Sequence, residues 1–295
     1  MPNHALEYFE TQTTVDDLAE RLSSCLSKVT SLKRLNLQLG QQPWAGYPSS
    51  MKHVLLASIS LHSLEHFSLD GAFMNSEDLH LILMNDLGRN ITTLEFHHLR
   101  VSGLHPTSTV TTSQLIPSPS AFFYSLKTLK IYSFQLAYVI VRFLADYRIS
   151  KLPLRTLDLS IKSRQLESVI QSLVDLSSAS IVILKITTRF GSFNPNNTSG
   201  TITSSETTKL TLPHDSLREM HVVHLEIGDK PKGIPWMLSL FSLATLPRLK
   251  TIKLDINSIF YRDYISVDNP QFPDYIPSLS WELWRNLDEI LSGPT

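Results

Sequence analysis

Leu126 to Ile131 read LKTLKI, and this six-residue phrase decides the fold because the chain keeps returning to it. Apolar residues stand first, fourth and sixth. The other copies are LKRLNL (Leu32 to Leu37), LEHFSL (Leu64 to Leu69), ITTLEF (Ile91 to Phe96) and LRTLDL (Leu154 to Leu159), followed by IVILKI (Ile181 to Ile186), LREMHV (Leu217 to Val222) and LKTIKL (Leu249 to Leu254). Successive starts lie 32, 27, 35, 28, 27, 36 and 32 residues apart. A recurrence every thirty or so residues is the mark of a solenoid, whose units cannot bury their apolar faces alone and therefore stack.

Within each phrase the fourth and sixth residues alternate with their neighbours, the period-2 pattern of a half-buried strand. Between phrases the period changes to that of helices. Val15, Leu18, Leu22, Leu26 and Val29 share one helical face behind a capping-box-like Thr14-Val15-Asp16-Asp17. Leu79, Ile82, Leu83 and Leu87 do so after Asn75 and Ser76, both good N-caps. Leu166, Val169, Ile170, Leu173 and Val174 repeat the pattern, and Gln135 to Tyr147 is apolar nearly all round, predicting a helix buried on several sides. Strand and helix thus alternate with crossovers long enough for a parallel sheet. The expected fold class is α/β, a leucine-rich-repeat solenoid with a parallel β-sheet on a concave face and helices on a convex one. Residues 1–295 form one array of about eight to nine irregular repeats on this reading. Leu6 to Thr11 is a degraded copy of the phrase, and Trp281, Leu283, Trp284, Leu287, Ile290 and Leu291 line an amphipathic helix near the end. The expectation is a segment of a longer array, or an array capped by its last helix.

Composition narrows the function classes. Basic and acidic residues nearly balance, 26 against 27, so bulk charge favours neither nucleic acid nor an anionic membrane. One cysteine, Cys25, excludes an internal disulfide framework and points to a reduced setting, cytoplasmic or nuclear. It lies beside Leu22 and Leu26 and reads as a buried small hydrophobe. The first residues lack the basic-then-apolar order of a signal peptide, and no apolar run is long enough to span a membrane. The sequons at Asn90, Asn196 and Asn197 therefore carry little weight. Two stretches rich in Ser, Thr, Pro and Asn, 102–120 and 191–216, coincide with the longest spacings and read as surface insertions.

With LxxLxL strands at uneven spacing, the chain resembles the leucine-rich-repeat region of F-box-type proteins of mushroom-forming fungi. The ending is similar too, since WRNLD (Trp284 to Asp288) matches the W-x-x-L-D helix of such proteins. The resemblance implies a substrate-recognition module of a cullin-type ubiquitin ligase, joined to a ligase adaptor only if an F-box exists elsewhere, because none is visible here. It departs from the family at the ninth repeat position, where an asparagine ladder is common. That position holds Gly40, Ala72, Leu99, Phe134, Lys162, Arg189, Leu225 and Asn257, so only Asn257 fits and irregular curvature is expected.

Catalytic motifs are wanting. There is no Gly-rich phosphate loop and no G-x-S-x-G elbow. Ser49-Ser50-Met51-Lys52 matches S-x-x-K without its companion motifs. The histidines His62, His66, His97, His98, His221 and His224 read as surface or hydrogen-bonded groups rather than zinc ligands, although Glu95 and His97 share a strand face. No catalytic residue, metal or cofactor is expected.

The informative residues are the polar ones that alternation places on the concave face. Four residues after each phrase start come Asn36, Ser68, Glu95, Lys130, Asp158, Lys185, His221 and Lys253; two further on come Gln38, Asp70, His97, Tyr132, Ser160, Thr187, Val223 and Asp255. Signs are mixed and Tyr132 is the sole aromatic of the two columns, unlike a nucleic-acid track of Lys and Arg with stacking rings. The expected function is non-enzymatic protein binding, through Asn36, Asp70, Glu95, His97, Lys130, Tyr132, Asp158, Lys185, Lys253 and Asp255. Two other readings remain open: a GTPase-activating-type regulator using Arg34 or Asn36 on a bound enzyme, and a truncated gene product.

Overall fold

In the computed structural model the described residues are 16–26, 28–29, 31–40, 43–84, 90–102, 121–147, 149–161, 167–191, 211–213, 215–227, 248–259 and 285. They form an α/β structure with a mostly parallel sheet of eight strands and helices between them. The chain divides into two compact units, Met1–Leu157 and Asp158–Thr295.

The first unit runs α1 (residues 16–26), β1 (Arg34–Gln38), α2 (Ser49–Ile59), β2 (His66–Asp70), β3 (Phe73–Asn75), α3 (Ser76–Met84), β4 (Thr93–His97), β5 (Arg100–Ser102), β6 (Thr128–Ile131) and α4 (Phe134–Asp146). Each main strand is the back half of a repeated phrase. The strands lie side by side, parallel, in the order β1-β2-β4-β6. Equal phrase lengths set the register: Leu37, Leu69, Phe96 and Ile131 align across the unit, as do Asn36, Ser68, Glu95 and Lys130. β7 (Thr156–Ile161) straddles the division. The second unit continues with α5 (Glu167–Leu176), β8 (Ile183–Gly191), β9 (Glu219–Ile227) and β10 (Thr251–Ile259), parallel and adjacent in that order.

Strand entry repeats one hydrogen-bond geometry. Lys33 O accepts from the N–H groups of both Glu65 and His66; Glu65 O accepts from Thr92 and Thr93, Thr92 O from Lys127 and Thr128, and Lys127 O from Arg155 and Thr156. Val182 O and Arg218 O do the same in the second unit. At five junctions among the described residues a side chain just before the phrase adds a bond. Ser63 Oγ donates to Leu32 O at 2.9 Å, Asn90 Nδ2 to His62 O at 2.6 Å and Ser125 Oγ to Ile91 O at 3.0 Å. In the second unit Ser216 Oγ donates to Ser178 O at 2.7 Å and Arg248 Nη1 to Asp215 O at 3.1 Å. These bonds satisfy backbone carbonyls at strand entry.

The core sits between strands and helices. Phe67, Leu69, Leu94, Phe96, Leu129 and Ile131 of the strands are buried, and so are Leu79, Ile82, Leu83, Leu136, Ile140 and Leu144 of α3 and α4. α3 starts as the sequence expects, with the Asp78 N–H donating to Asn75 Oδ1 at 2.6 Å. α4 buries Leu136, Ala137, Val139, Ile140, Phe143 and Leu144, while its end at Ala145 and Asp146 is exposed. α5 buries Val169, Ile170, Leu173 and Val174.

Several features differ from the sequence reading. On α1 only Ala19 is buried; Leu18 is 56% exposed and Cys25 is exposed, so the cysteine is no core hydrophobe. Periodicity states which face a helix could bury, and a partner must lie against that face to bury it. Ser49 to Lys52 open α2, which the S-x-x-K match conceals, and Lys52 Nζ reaches Ala45 O at 3.3 Å. A second, two-stranded parallel sheet pairs β3 with β5 and buries Met74 and Val101. It follows sharp turns at Gly71 (φ 75°) and His98 (φ 49°), which occupy the same phrase position. A Cβ at Gly71 would stand 3.1 Å from Gly40 O, so both the positive φ and the close approach favour glycine there. Ser102 belongs to β5 and Gly191 to β8; the insertion readings over 103–120 and 192–210, the Leu6 to Thr11 copy and, Arg285 apart, the terminal helix lie outside the described residues.

Candidate interaction face

Alternation sends the odd members of each strand to the face opposite the core. In the first unit this makes a polar grid of three rows: Arg34, His66, Thr93 and Thr128; Asn36, Ser68, Glu95 and Lys130; Gln38, Asp70 and His97, with Tyr132 one residue beyond β6. Tyr132 still joins the ladder, its N–H donating to Phe96 O at 3.0 Å.

Glu95 is the hub. Lys130 Nζ lies 2.6 Å from Glu95 Oε1, and His97 Nε2 and His66 Nε2 lie 3.4 and 3.9 Å from Oε2. The Glu95 side chain is 14% exposed and that of Lys130 is 32% exposed, so the carboxylate is the more deeply seated of the two. Burial by itself would push the Glu95 carboxyl up, but the hydrogen bonds and charges of Lys130, His97 and His66 outweigh it and hold it below its ordinary range. For His66, burial is the largest influence and lowers the imidazole; Arg34 and Lys130 lower it further, against the opposing pull of Glu95. The His97 ring stacks on Tyr132 with centroids 4.6 Å apart and planes 20° apart. Beside it, His98 Nδ1 meets Asp70 Oδ1 at 2.9 Å.

In the second unit the same principle recurs in smaller groups. Lys185 Nζ lies 3.3 Å from Asp158 Oδ2, the carboxylate again buried and the lysine more exposed. His221, aligned with Lys185 and Lys253, meets Asp255 at 2.8 Å, and Lys253 reaches Glu219 at 3.0 Å.

Of the ten residues singled out from sequence, Asp70, Glu95, His97, Lys130 and Tyr132 thus fall in one cluster, and Asn36 is exposed on β1 beside Ser68. Asp158 and Lys185 form a pair; Lys253 and Asp255 each find a partner outside the set. His66, His98, Glu219 and His221 complete these groups. His66 and Glu219 had a signal, since they stand two residues before the first column and so on the same face. His98 had none, because its positive φ takes it out of strand alternation.

Among the described residues no set of three or more His, Cys, Asp or Glu is arranged to hold a metal ion, and no helix is long and apolar enough to cross a membrane. No family model matches this chain, and neither a curated protein nor a solved structure matches it.

Proposed function

We propose that the chain is a protein-interaction module without catalysis of its own, a leucine-rich-repeat array that binds a protein partner across the polar face of its sheet. The observation that supports this most is the cross-strand grid: phrases of one pattern in one register bring mixed charges, histidines and one aromatic onto a continuous polar strand face in the first unit. Such a surface suits complementary charges with an aromatic anchor, here Tyr132 stacked on His97. The horseshoe form and the likeness to substrate-recognition repeats of F-box-type ubiquitin-ligase receptors belong to the same proposal, supported by the recurring strand-entry bonds.

The test is affinity capture from native extract with the unaltered chain and with Lys130→Ala/Tyr132→Ala. Loss of the captured protein in the variant, with retention after an exposed helix change such as His53→Ala, is the expected result. The opposite pattern places binding on another surface. Recovery of a ligase adaptor with its cullin would establish the ubiquitin-ligase extension; a partner outside that machinery would leave a scaffold.

A further inference from the structure

The first unit's polar face has an uneven depth distribution of charge. Its central carboxylate, Glu95, lies low, 14% exposed, with Lys130, His97 and His66 gathered on it. Arg34, aligned with His66 on β1, and His98 are exposed. Asp70 is drawn to His98 at 2.9 Å. Among the described residues, the titratable and charged side chains of this face in the first unit are Arg34 on β1, His66 and Asp70 on β2, Glu95 and His97 on β4, His98 in the following turn, Lys130 on β6 and Tyr132 just beyond it. With imidazoles neutral, Arg34 and Lys130 balance Asp70 and Glu95. Protonating His66, His97 and His98 leaves three positive charges in excess, all within one patch and around a half-buried anion.

We propose that this face is an acid-gated docking surface for an acidic protein segment, one rich in Asp and Glu. Charge complementarity selects that partner: an anion gains from each of the three protonations, and the two carboxylates already present, Glu95 and Asp70, are outnumbered by the cations gathered on them. The Tyr132–His97 stack, at the margin of the patch, gives the segment's aliphatic stems a flat surface to lie on. His66 is held below the ordinary histidine range, chiefly by burial, so full activation requires a distinctly acidic medium. This inference rests on the interaction reading above and adds partner chemistry and a switch to it.

The experiment is fluorescence anisotropy of a labelled Glu/Asp-rich peptide on the full chain at about pH 7.5 and about pH 5, with far-UV circular dichroism checking the fold at both. Affinity should rise about tenfold or more on acidification, the size of a typical coupling between two binding events. His66→Gln/His97→Gln should remove most of that rise while leaving the weak neutral-pH binding in place. If that double variant fails to fold, Arg34→Gln, an exposed change, should lower the acid-pH affinity severalfold. Absent binding, binding indifferent to pH, or equal acid-gated binding of a single-stranded oligonucleotide would overturn the proposal. Capture of an extract partner that depends on Lys130 and Tyr132 but is neither pH-dependent nor displaced by the peptide would overturn this inference alone and leave the interaction module standing.

Discussion

In β4 the core-facing residues Leu94 and Phe96 are 1% and 0% exposed, whereas Leu35 and Leu37, their counterparts in β1, are only half-buried. Both strands come from the same phrase, and their residues align through β2. The difference is lateral: β4 pairs with β2 and β6, while β1 among the described residues pairs with β2 alone. The second unit repeats it, with Met220 and Val222 of β9 fully buried and Ile252 and Leu254 of β10 half-buried. A strand flanked on both sides is shielded by two neighbours, so the same six-residue pattern buries more apolar surface between two strands than beside one. Polar groups follow the same rule. Glu95, between two strands, gathers three partners and sinks; Asn36 and Gln38, at the edge, stay exposed.

The sharpest way to break this comparison is to truncate equivalent core residues. Phe96→Ala should cost about 3–5 kcal/mol, against roughly 1 kcal/mol for Leu37→Ala, because the former opens a closed cavity and the latter trims a half-wet side chain. Equilibrium urea denaturation of both would read the difference, and equal losses would show that β1 is as well supported as β4. Next come the turns. Gly71→Ala meets both a left-handed backbone and Gly40 O, and should cost about 2–3 kcal/mol. Gly40→Ala, with the same sign of φ but open space, should cost only about 1 kcal/mol. Thermal unfolding of the pair separates backbone strain from steric exclusion.

Acidification probes the half-buried cluster on the polar face. His66 is lowered in the fold, so the unfolded chain binds its proton first, and stability declines as pH falls below the ordinary value of 6.5 and levels off only once the folded imidazole is protonated. Glu95 is also lowered; its contribution is present above the ordinary 4.5 and disappears as pH falls through the folded value. Denaturation midpoints across pH should therefore drop in two stages, the first reduced by His66→Gln and the second by Glu95→Gln. A single stage unaffected by either variant would show that these groups are not coupled to folding. The smallest effect belongs to the exposed pair Lys33–Glu65 at 2.9 Å, with side chains 69% and 52% exposed. Lys33→Ala should change stability by less than about 0.5 kcal/mol, and added salt should erase even that.

How far the sequence reached can be judged residue by residue. The polar columns from Asn36 to Lys130 and from Lys185 to Lys253 were legible because alternation is enforced locally and equal phrases can only align in phase without turning apolar residues outward. Asn75 as a cap was legible for a similar reason, as its bond reaches only three residues along. The exposure of Leu18 and Cys25 was not, since it depends on what packs against α1. The β3–β5 sheet was hidden because three-residue strands hold too few residues to show a period.

The sequence by itself thus determined the strand phrase, its face and its in-phase register, which follow from steric alternation within six residues. Tertiary structure alone decided the strand-entry bonds of Ser63, Asn90 and Ser125, the convergence of His66, His97 and Lys130 on Glu95, and the meeting of His98 with Asp70. Most of these join residues roughly thirty positions apart, and no local pattern encodes which side chains will meet until neighbouring strands have paired.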